Sequence, residues 1–270
     1  MRNIKIKRFP ALNYSCAEAV NTLCVNLTFS GENVHKIMVT SSHASEGKSF
    51  LSMNIMRTMA KMGRTVALVD ADLRRSMIAS KFGFQAVDGK PLLGLAHLLA
   101  GRAGEEEVIY STDIPGAYVV PVGRDISNPL PLLNSRRFEL LLDHLAQRAD
   151  YVIVDAPPVG TVIDAAQIAK SCDGTLLTVG YNAVHRQELI DTKAQLDQTG
   201  VPILGAVLNM VEYDNYVNRK YYYKSYYSHY GSYYTPSGSS SGANAASTGT
   251  SAKRSANPVR RSRENASSKK

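Results

Sequence analysis

No apolar run in this 270-residue chain approaches the roughly 18 residues that a membrane-spanning helix needs. The longest candidate, Pro91 to Gly101, is short and is interrupted by His97. The basic start, Met1 to Pro10, leads into no apolar segment with a small-residue cleavage site, which reads against a secretion signal. Cysteine is scarce. Cys16, Cys24 and Cys172 contain no close pair suited to zinc or redox chemistry, so they read as buried or incidental thiols in a reducing cytoplasm.

Two further shortages divide the chain. Residues Met1 to Glu212 carry 21 basic and 21 acidic side chains, so this part lacks any excess of one sign. A nucleic-acid-binding domain should present a positive face on its folded part, and a neutral body argues against one. Residues Tyr213 to Lys270 carry 10 basic and 2 acidic side chains, which places the whole excess of eight there. From Thr235 onward Val259 is the single aliphatic residue larger than alanine. Such a stretch cannot bury enough apolar surface to offset its ordering entropy, so disorder is expected over 235–270. The expected organisation is a globular domain over 1–212, a tyrosine cluster over 213–234 and a basic Ser/Gly/Ala-rich tail.

Between Val34 and Met210, apolar segments rich in β-branched residues alternate with segments of helical period. That alternation predicts an α/β fold with a mostly parallel central sheet flanked by helices. Strands are expected at Lys36 to Thr40, Thr65 to Asp70, Tyr118 to Pro121, Tyr151 to Asp155, Thr175 to Val179 and Ile203 to Asn209. Continuous apolar runs such as Val66-Ala67-Leu68-Val69 suit strands buried on both faces. Helices are expected at Ser49 to Met62, Asn134 to Gln147 and Glu188 to Gln198. In the first, Leu51, Ile55, Met59 and Met62 form the apolar stripe and Gly63 supplies the cap; Asn134 or Ser135 should cap the second.

The chemistry concentrates at strand ends. Ser42-His43-Ala44-Ser45-Glu46-Gly47-Lys48-Ser49 lies between an expected strand and an expected helix, and reads as a phosphate-binding loop whose first glycine is replaced by Ser42. Residues Ser42 to Ser49, with Phe50 in the helix start, form the candidate ATP cradle. Backbone amides around Glu46 to Ser49 would hold the β-phosphate, Lys48 would reach the β and γ oxygens, and the Ser49 hydroxyl would ligate Mg²⁺. Asp70 and Asp72 end one buried strand and Asp155 ends another. In an open parallel sheet these carboxylates converge on the loop. Asn209, ending the last strand, is a candidate for the adenine edge or a plain turn residue. Asn128-Pro129-Leu130-Pro131 introduces a helix through proline.

Together, the loop, the hydrophobic-Asp-x-Asp-x-Arg segment ending at Arg74 and the hydrophobic-Asp-x-Pro segment at Asp155 to Pro157 resemble the nucleotide motifs of bacterial tyrosine kinases of the capsular and exopolysaccharide type. Val159-Gly160-Thr161-Val162-Ile163-Asp164-Ala165 continues the likeness, as does the tyrosine cluster, which holds ten of the fifteen tyrosines. The resemblance covers roughly Ala11 to Tyr234. It implies a P-loop NTPase fold of the deviant Walker type, ATP and Mg²⁺ as cofactors, and Ser49, Asp72 and Asp155 as the metal's holders. It also implies catalysis by Lys48, Asp70, Asp72 and Asp155. The implied phosphoacceptors are Tyr221, Tyr222, Tyr223, Tyr226, Tyr227, Tyr230, Tyr233 and Tyr234, modified in trans to regulate polysaccharide synthesis or export. The implied partners are a membrane-embedded polysaccharide co-polymerase that activates the enzyme at the inner face of the membrane, and a cognate phosphotyrosine phosphatase; no nucleic acid is expected.

Two departures stand out. Ala44 and Ser45 occupy positions where the family has Pro and Gly, and a lost glycine matters if its position needs positive φ. The family's Glu-x-x-Arg-x-x-Arg helix motif reads Glu18, Asn21, Cys24 here, which weakens the implied homo-oligomer because neither Asn nor Cys reproduces arginine's bidentate pairing. Two other functions remain open: an ATPase switch that partitions DNA or positions division proteins, and a nucleotide-binding interaction module with little catalysis. The switches carry a second signature lysine five residues before the loop lysine, where this chain has His43. The tail itself also reads as a nucleic-acid arm or as a low-complexity appendage.

Overall fold

The computed structural model describes residues 1–160 and 162–211. The tyrosine cluster, every expected phosphoacceptor and the basic tail lie outside the described residues. In chain order the elements are β1 (Arg2–Ile6), α1 (Tyr14–Thr28), β2 (Lys36–Ser41), α2 (Lys48–Lys61), β3 (Val66–Asp70), α3 (Ile78–Phe82), β4 (Phe84–Ala86), α4 (Leu95–Leu99) and α5 (Glu105–Val108). Then follow β5 (Tyr110–Ser111), β6 (Ala117–Val120), α6 (Leu130–Leu133), α7 (Arg136–Ala146), β7 (Tyr151–Asp155), α8 (Asp164–Ala169), β8 (Gly174–Gly180), α9 (Arg186–Asp197) and β9 (Ile203–Asn209).

The strands form one sheet in the order β4-β1-β5-β6-β3-β7-β2-β8-β9. From β6 to β9 every neighbouring pair is parallel, while β1/β4 and β5/β6 are antiparallel. The expected mostly parallel α/β sheet is therefore present. Alternation along each strand splits the core into two layers. Ile37, Val39, Leu68 and Ile153 face α1 and α2, whereas Met38, Val69, Val152 and Val154 face Phe138, Leu141, Ile168 and Leu196 of α7, α8 and α9. Each such side chain contributes about 1.5–3 kcal/mol through burial, which explains why the central strands are apolar throughout.

Several local expectations need correction. Met62 does not belong to the buried stripe of α2: it is 43% exposed, because the helix ends at Lys61 and Gly63, at φ +83, turns the chain away. Met53 and Met56 fill the core instead. Ser135 occupies the N-cap position of α7, one of the two expected, but its hydroxyl donates to the Leu132 carbonyl at 2.6 Å and makes no cap hydrogen bond. The proline-introduced helix is α6. Strands β1, β4 and β5 were not expected at all. They are two to five residues long and lie at the sheet's antiparallel end.

On α1, Asn21 donates to Glu18 at 3.1 Å, while Cys24 is buried with its thiol against the Ile55 carbonyl of α2. Where the family's motif has its last arginine, this chain has a core-packing thiol.

The topology positions the site. β2 lies between β7 and β8, and β3 is next to β7, so the carboxyl ends of β3, β7, β2, β8 and β9 form one continuous edge.

Candidate functional site

The loop after β2 rises from Ser41 and enters α2 at Lys48. Gly47 stands at the helix start with φ +89 and no side-chain cap, which leaves the amino end of a 14-residue helix open toward the loop. An uncapped helix start of this kind, with amides pointing outward and a positive dipole end, suits an anion. A side chain at position 47 would be excluded twice: by the positive φ, and because a Cβ there would stand 2.0 Å from the Asn209 amide nitrogen.

Four contacts hold the loop from outside. The Glu46 carboxylate, 2% exposed, accepts from the amides of His43 and, at 2.7 Å, Gly180 at the end of β8. Asn209 donates to the Glu46 carbonyl at 2.9 Å. Thr192 of α9 donates to the buried Ser42 hydroxyl at 3.0 Å. His43 Nε2 lies 3.6 Å from Glu188 at the start of α9. The loop is thus pinned to two strands and a helix before any ligand arrives. Ser45, where the family has glycine, sits at φ +68, so this chain holds a serine in a left-handed conformation.

Facing the loop are the carboxylates. Asp70 and Asp155 are directly paired in register at the ends of β3 and β7. Ser49 donates to Asp155 Oδ2 at 2.6 Å and Ser52, one turn further along α2, donates to Oδ1 at 2.9 Å. Lys48 Nζ lies 3.5 Å from Asp72 Oδ2. Ser76 donates to Asp70 Oδ2, while Asp70 Oδ1 is buried without a partner. Burial first, then the neighbouring Asp155 charge, holds the Asp70 carboxyl well above the usual carboxylate range. Burial likewise pushes Asp155 up to about 6, against the opposing pull of Lys48 and the two serine hydroxyls. Two buried carboxylates beside each other store electrostatic strain that a cation relieves.

The donor set fits magnesium. Among the described residues no three His, Cys, Asp or Glu side chains stand close enough to hold a metal ion unaided. A serine hydroxyl, one or two carboxylates, phosphate oxygens and water are the usual company of Mg²⁺, which sheds its water reluctantly.

This arrangement has known counterparts. Residues 37–226 match the family described as CobQ/CobB/MinD/ParA nucleotide binding domain. Tyrosine-protein kinase CpsD of Streptococcus pneumoniae is 36% identical over 195 residues, which span 72% of this chain and 84% of that protein. The chain belongs to the bacterial tyrosine-protein kinases of the CpsD type. Among solved structures, the kinase domain of Escherichia coli tyrosine kinase ETK superposes with a TM-score of 0.68 at 32% identity, covering 73% of this chain and 76% of that one. The septum site-determining protein MinD of Pyrococcus horikoshii, solved with Mg-ADP, superposes with a TM-score of 0.55 at 23% identity, over 67% of this chain and 72% of that one; that likeness shows the shared fold.

In this kinase the expected loop residues do not all face one way. Lys48, Ser49, Asp70, Asp72 and Asp155 are brought together at the sheet edge. Ser42 and Glu46 turn their side chains toward α9 and β8, and Phe50 packs against the apolar layer under α2, so these residues can offer a phosphate only backbone atoms. Asn209 reaches the loop itself. Sequence reasoning missed Ser52, although its spacing of three from Ser49 puts both hydroxyls on one helix face. It also missed Ser76 and the structural duty of Glu46, which depend on approaches across the fold that no local pattern announces. No helix among the described residues is long and apolar enough to cross a membrane.

Proposed function

We propose that the kinase transfers the γ-phosphoryl group of ATP to tyrosines of its own 221–234 cluster, in trans, and thereby regulates capsular or exopolysaccharide synthesis or export. The observation that carries this reading is the meeting of the loop's Lys48 and Ser49 with the strand-end carboxylates, Lys48 at Asp72 and Ser49 at Asp155, beside the buried Asp70 that pairs in register with Asp155. The open start of α2 and the Lys48 ammonium would bind the β- and γ-phosphates. Ser49, Asp72 and Asp155 would hold Mg²⁺, which when bound neutralises charge on the transferring phosphoryl group. Asp70 would orient the incoming phenol and take its proton as the tyrosine oxygen attacks phosphorus and ADP leaves. A phenol with pKa about 10 is a poor nucleophile until that proton moves, and a carboxylate whose pKa is raised accepts it more readily.

A membrane-embedded co-polymerase acting as activator, a phosphotyrosine phosphatase as its opponent, and a cytoplasmic location at the membrane's inner face complete the reading. Oligomerisation is weakened by the Asn21 and Cys24 replacements. Each phosphate adds about −1.5 to −2 charges to residues 213–270, which begin at +8, so a handful of modifications reverses their sign.

Incubation with MgATP and the activator's cytoplasmic peptide, followed by mass spectrometry, tests the proposal. Phosphotyrosine within 221–234 in wild type and its loss in Lys48→Met are expected. Equal phosphate in both, or none in wild type, overturns it. DNA-stimulated turnover without tail phosphorylation would identify a partitioning switch instead.

A further inference from the structure

Arg74 closes the Asp-x-Asp-x-Arg segment, yet its side chain meets neither phosphate loop nor Asp70. Its guanidinium grips Asp164 with both prongs, Nε donating to Oδ2 and the second amino group donating to Oδ1 at 3.1 Å; the remaining amino group donates to the Ser127 carbonyl at 3.2 Å. Asp164 is 1% exposed and opens α8, whereas Arg74 is 36% exposed at the side chain. A carboxylate so deeply placed loses its hydration, which a planar two-pronged partner offsets and a point charge offsets less well.

The two partners stand at corresponding places. Arg74 lies two residues beyond Asp72, on the chain leaving β3. Asp164 ends the chain leaving β7 after Asp155. Those two chains are also joined at their roots, where Ala71 donates to the Asp155 carbonyl at 2.9 Å. Asp72 therefore sits on a short arch fixed at both ends, by Ala71 on one side and Arg74 on the other. The segment that ends at Asp164 touches the phosphate loop too: Val159 donates to the Ser41 carbonyl at 2.9 Å, and a Cβ on Gly160 would stand 2.7 Å from the Ser42 carbonyl.

We propose that Arg74 and Asp164 are positioning residues: their two-pronged pair sets the distance of Asp72 from Asp155 and Ser49, and through it the grip on the divalent cation. The proposal rests on the reading of Ser49, Asp72 and Asp155 as the cation's holders. A pair that only balances charge would tolerate lysine in place of arginine. A pair that fixes geometry would not, because an ammonium cannot reproduce the fork.

The experiment measures binding of fluorescent mant-ADP to the full chain with and without Mg²⁺, for wild type and Arg74→Lys. Mg-free binding, which depends on Lys48 and the start of α2, should stay within about twofold. The Mg²⁺ concentration that gives half of the tightening should rise roughly tenfold or more, the usual cost of loosening a residue that orients a metal ligand. An unchanged Mg²⁺ midpoint, or an equal loss in Mg-free binding, overturns the proposal. Asp164→Asn, which keeps the shape and one acceptor, is measured in the same way and should move the midpoint in the same direction; it decides the matter if Arg74→Lys fails to fold. Phosphotransfer is scored separately: a wild type that binds Mg-ADP but forms no phosphotyrosine refutes the kinase reading and leaves the positioning pair standing.

Discussion

The two sides of the nucleotide site are built on opposite terms. On the β2/α2 side, every polar anchor of the loop is satisfied by the protein: Glu46 by two amides, Asn209 by a carbonyl, Ser42 by Thr192. On the β3/β7 side, two carboxylates share a dry corner, one oxygen is unpartnered and both pKa values are raised. The first side is preorganised by the protein's own bonds; the second keeps buried charge that a cation would offset. The division teaches where stability and activity would oppose each other, since the carboxylates proposed to carry the chemistry are those whose ionised forms the fold tolerates least.

The sharpest test of the contrast removes the lysine that joins the two sides. Lys48→Met should lower phosphotyrosine formation by roughly a thousandfold and also lower the metal-free melting temperature by a few degrees, because it leaves the buried Asp72 and Asp155 without the cation that faces them, as read by mass spectrometry and calorimetry. Asp155→Asn should separate the terms outright. Folding raises this carboxyl from 3.8 to about 6, so ionising it disfavours the folded state. The stability this carboxyl contributes without metal should therefore be fully present below about pH 3.8, fall as pH rises toward 6, and be absent above that, with Asp70 extending the decline upward. At pH 7.5 the Asn variant should melt about 5 °C higher than wild type without metal, yet lose on the order of a hundredfold in Mg-dependent turnover. A lower melting temperature would contradict the strained-corner description.

On the satisfied side, Glu46→Gln replaces one carboxylate acceptor by a donor facing two amides. Mg-free ADP affinity should fall about tenfold with little change in the Mg²⁺ midpoint, measured by mant-ADP titration. Ser45→Gly should have the smallest effect on binding. Relieving a left-handed serine is worth about 1–2 kcal/mol in the free and the bound loop alike, so the melting temperature should rise by a few degrees while nucleotide affinity stays within about twofold.

Much of this is legible in the sequence. Six central strands and three long helices carry their own signals, because a strand buried on both faces must be apolar throughout and a helix covering it must repeat at its own period. Tyr151–Asp155 and Ile203–Asn209 coincide with the expected bounds to the residue. β1, β4 and β5 escaped because two to five residues contain too little pattern, and their pairing is decided by residues some 80 to 110 positions away. In the site, Gly-Lys-Ser and the strand-end aspartates were readable as motifs. Their supports were not: Glu46 looks like an ordinary loop acid until Gly180 is brought beneath it, and Arg74 shows no destination until Asp164 is buried opposite.

Asn209 ends β9 and also bonds to the loop, and the tyrosine cluster follows it within a few positions in the sequence. Anyone shortening this kinase to study it without its acceptors has therefore little room to cut. A chain stopped after Val211 keeps the wall of the nucleotide site; one stopped before Asn209 loses acceptor and wall together, and its inactivity would say nothing about the tyrosines.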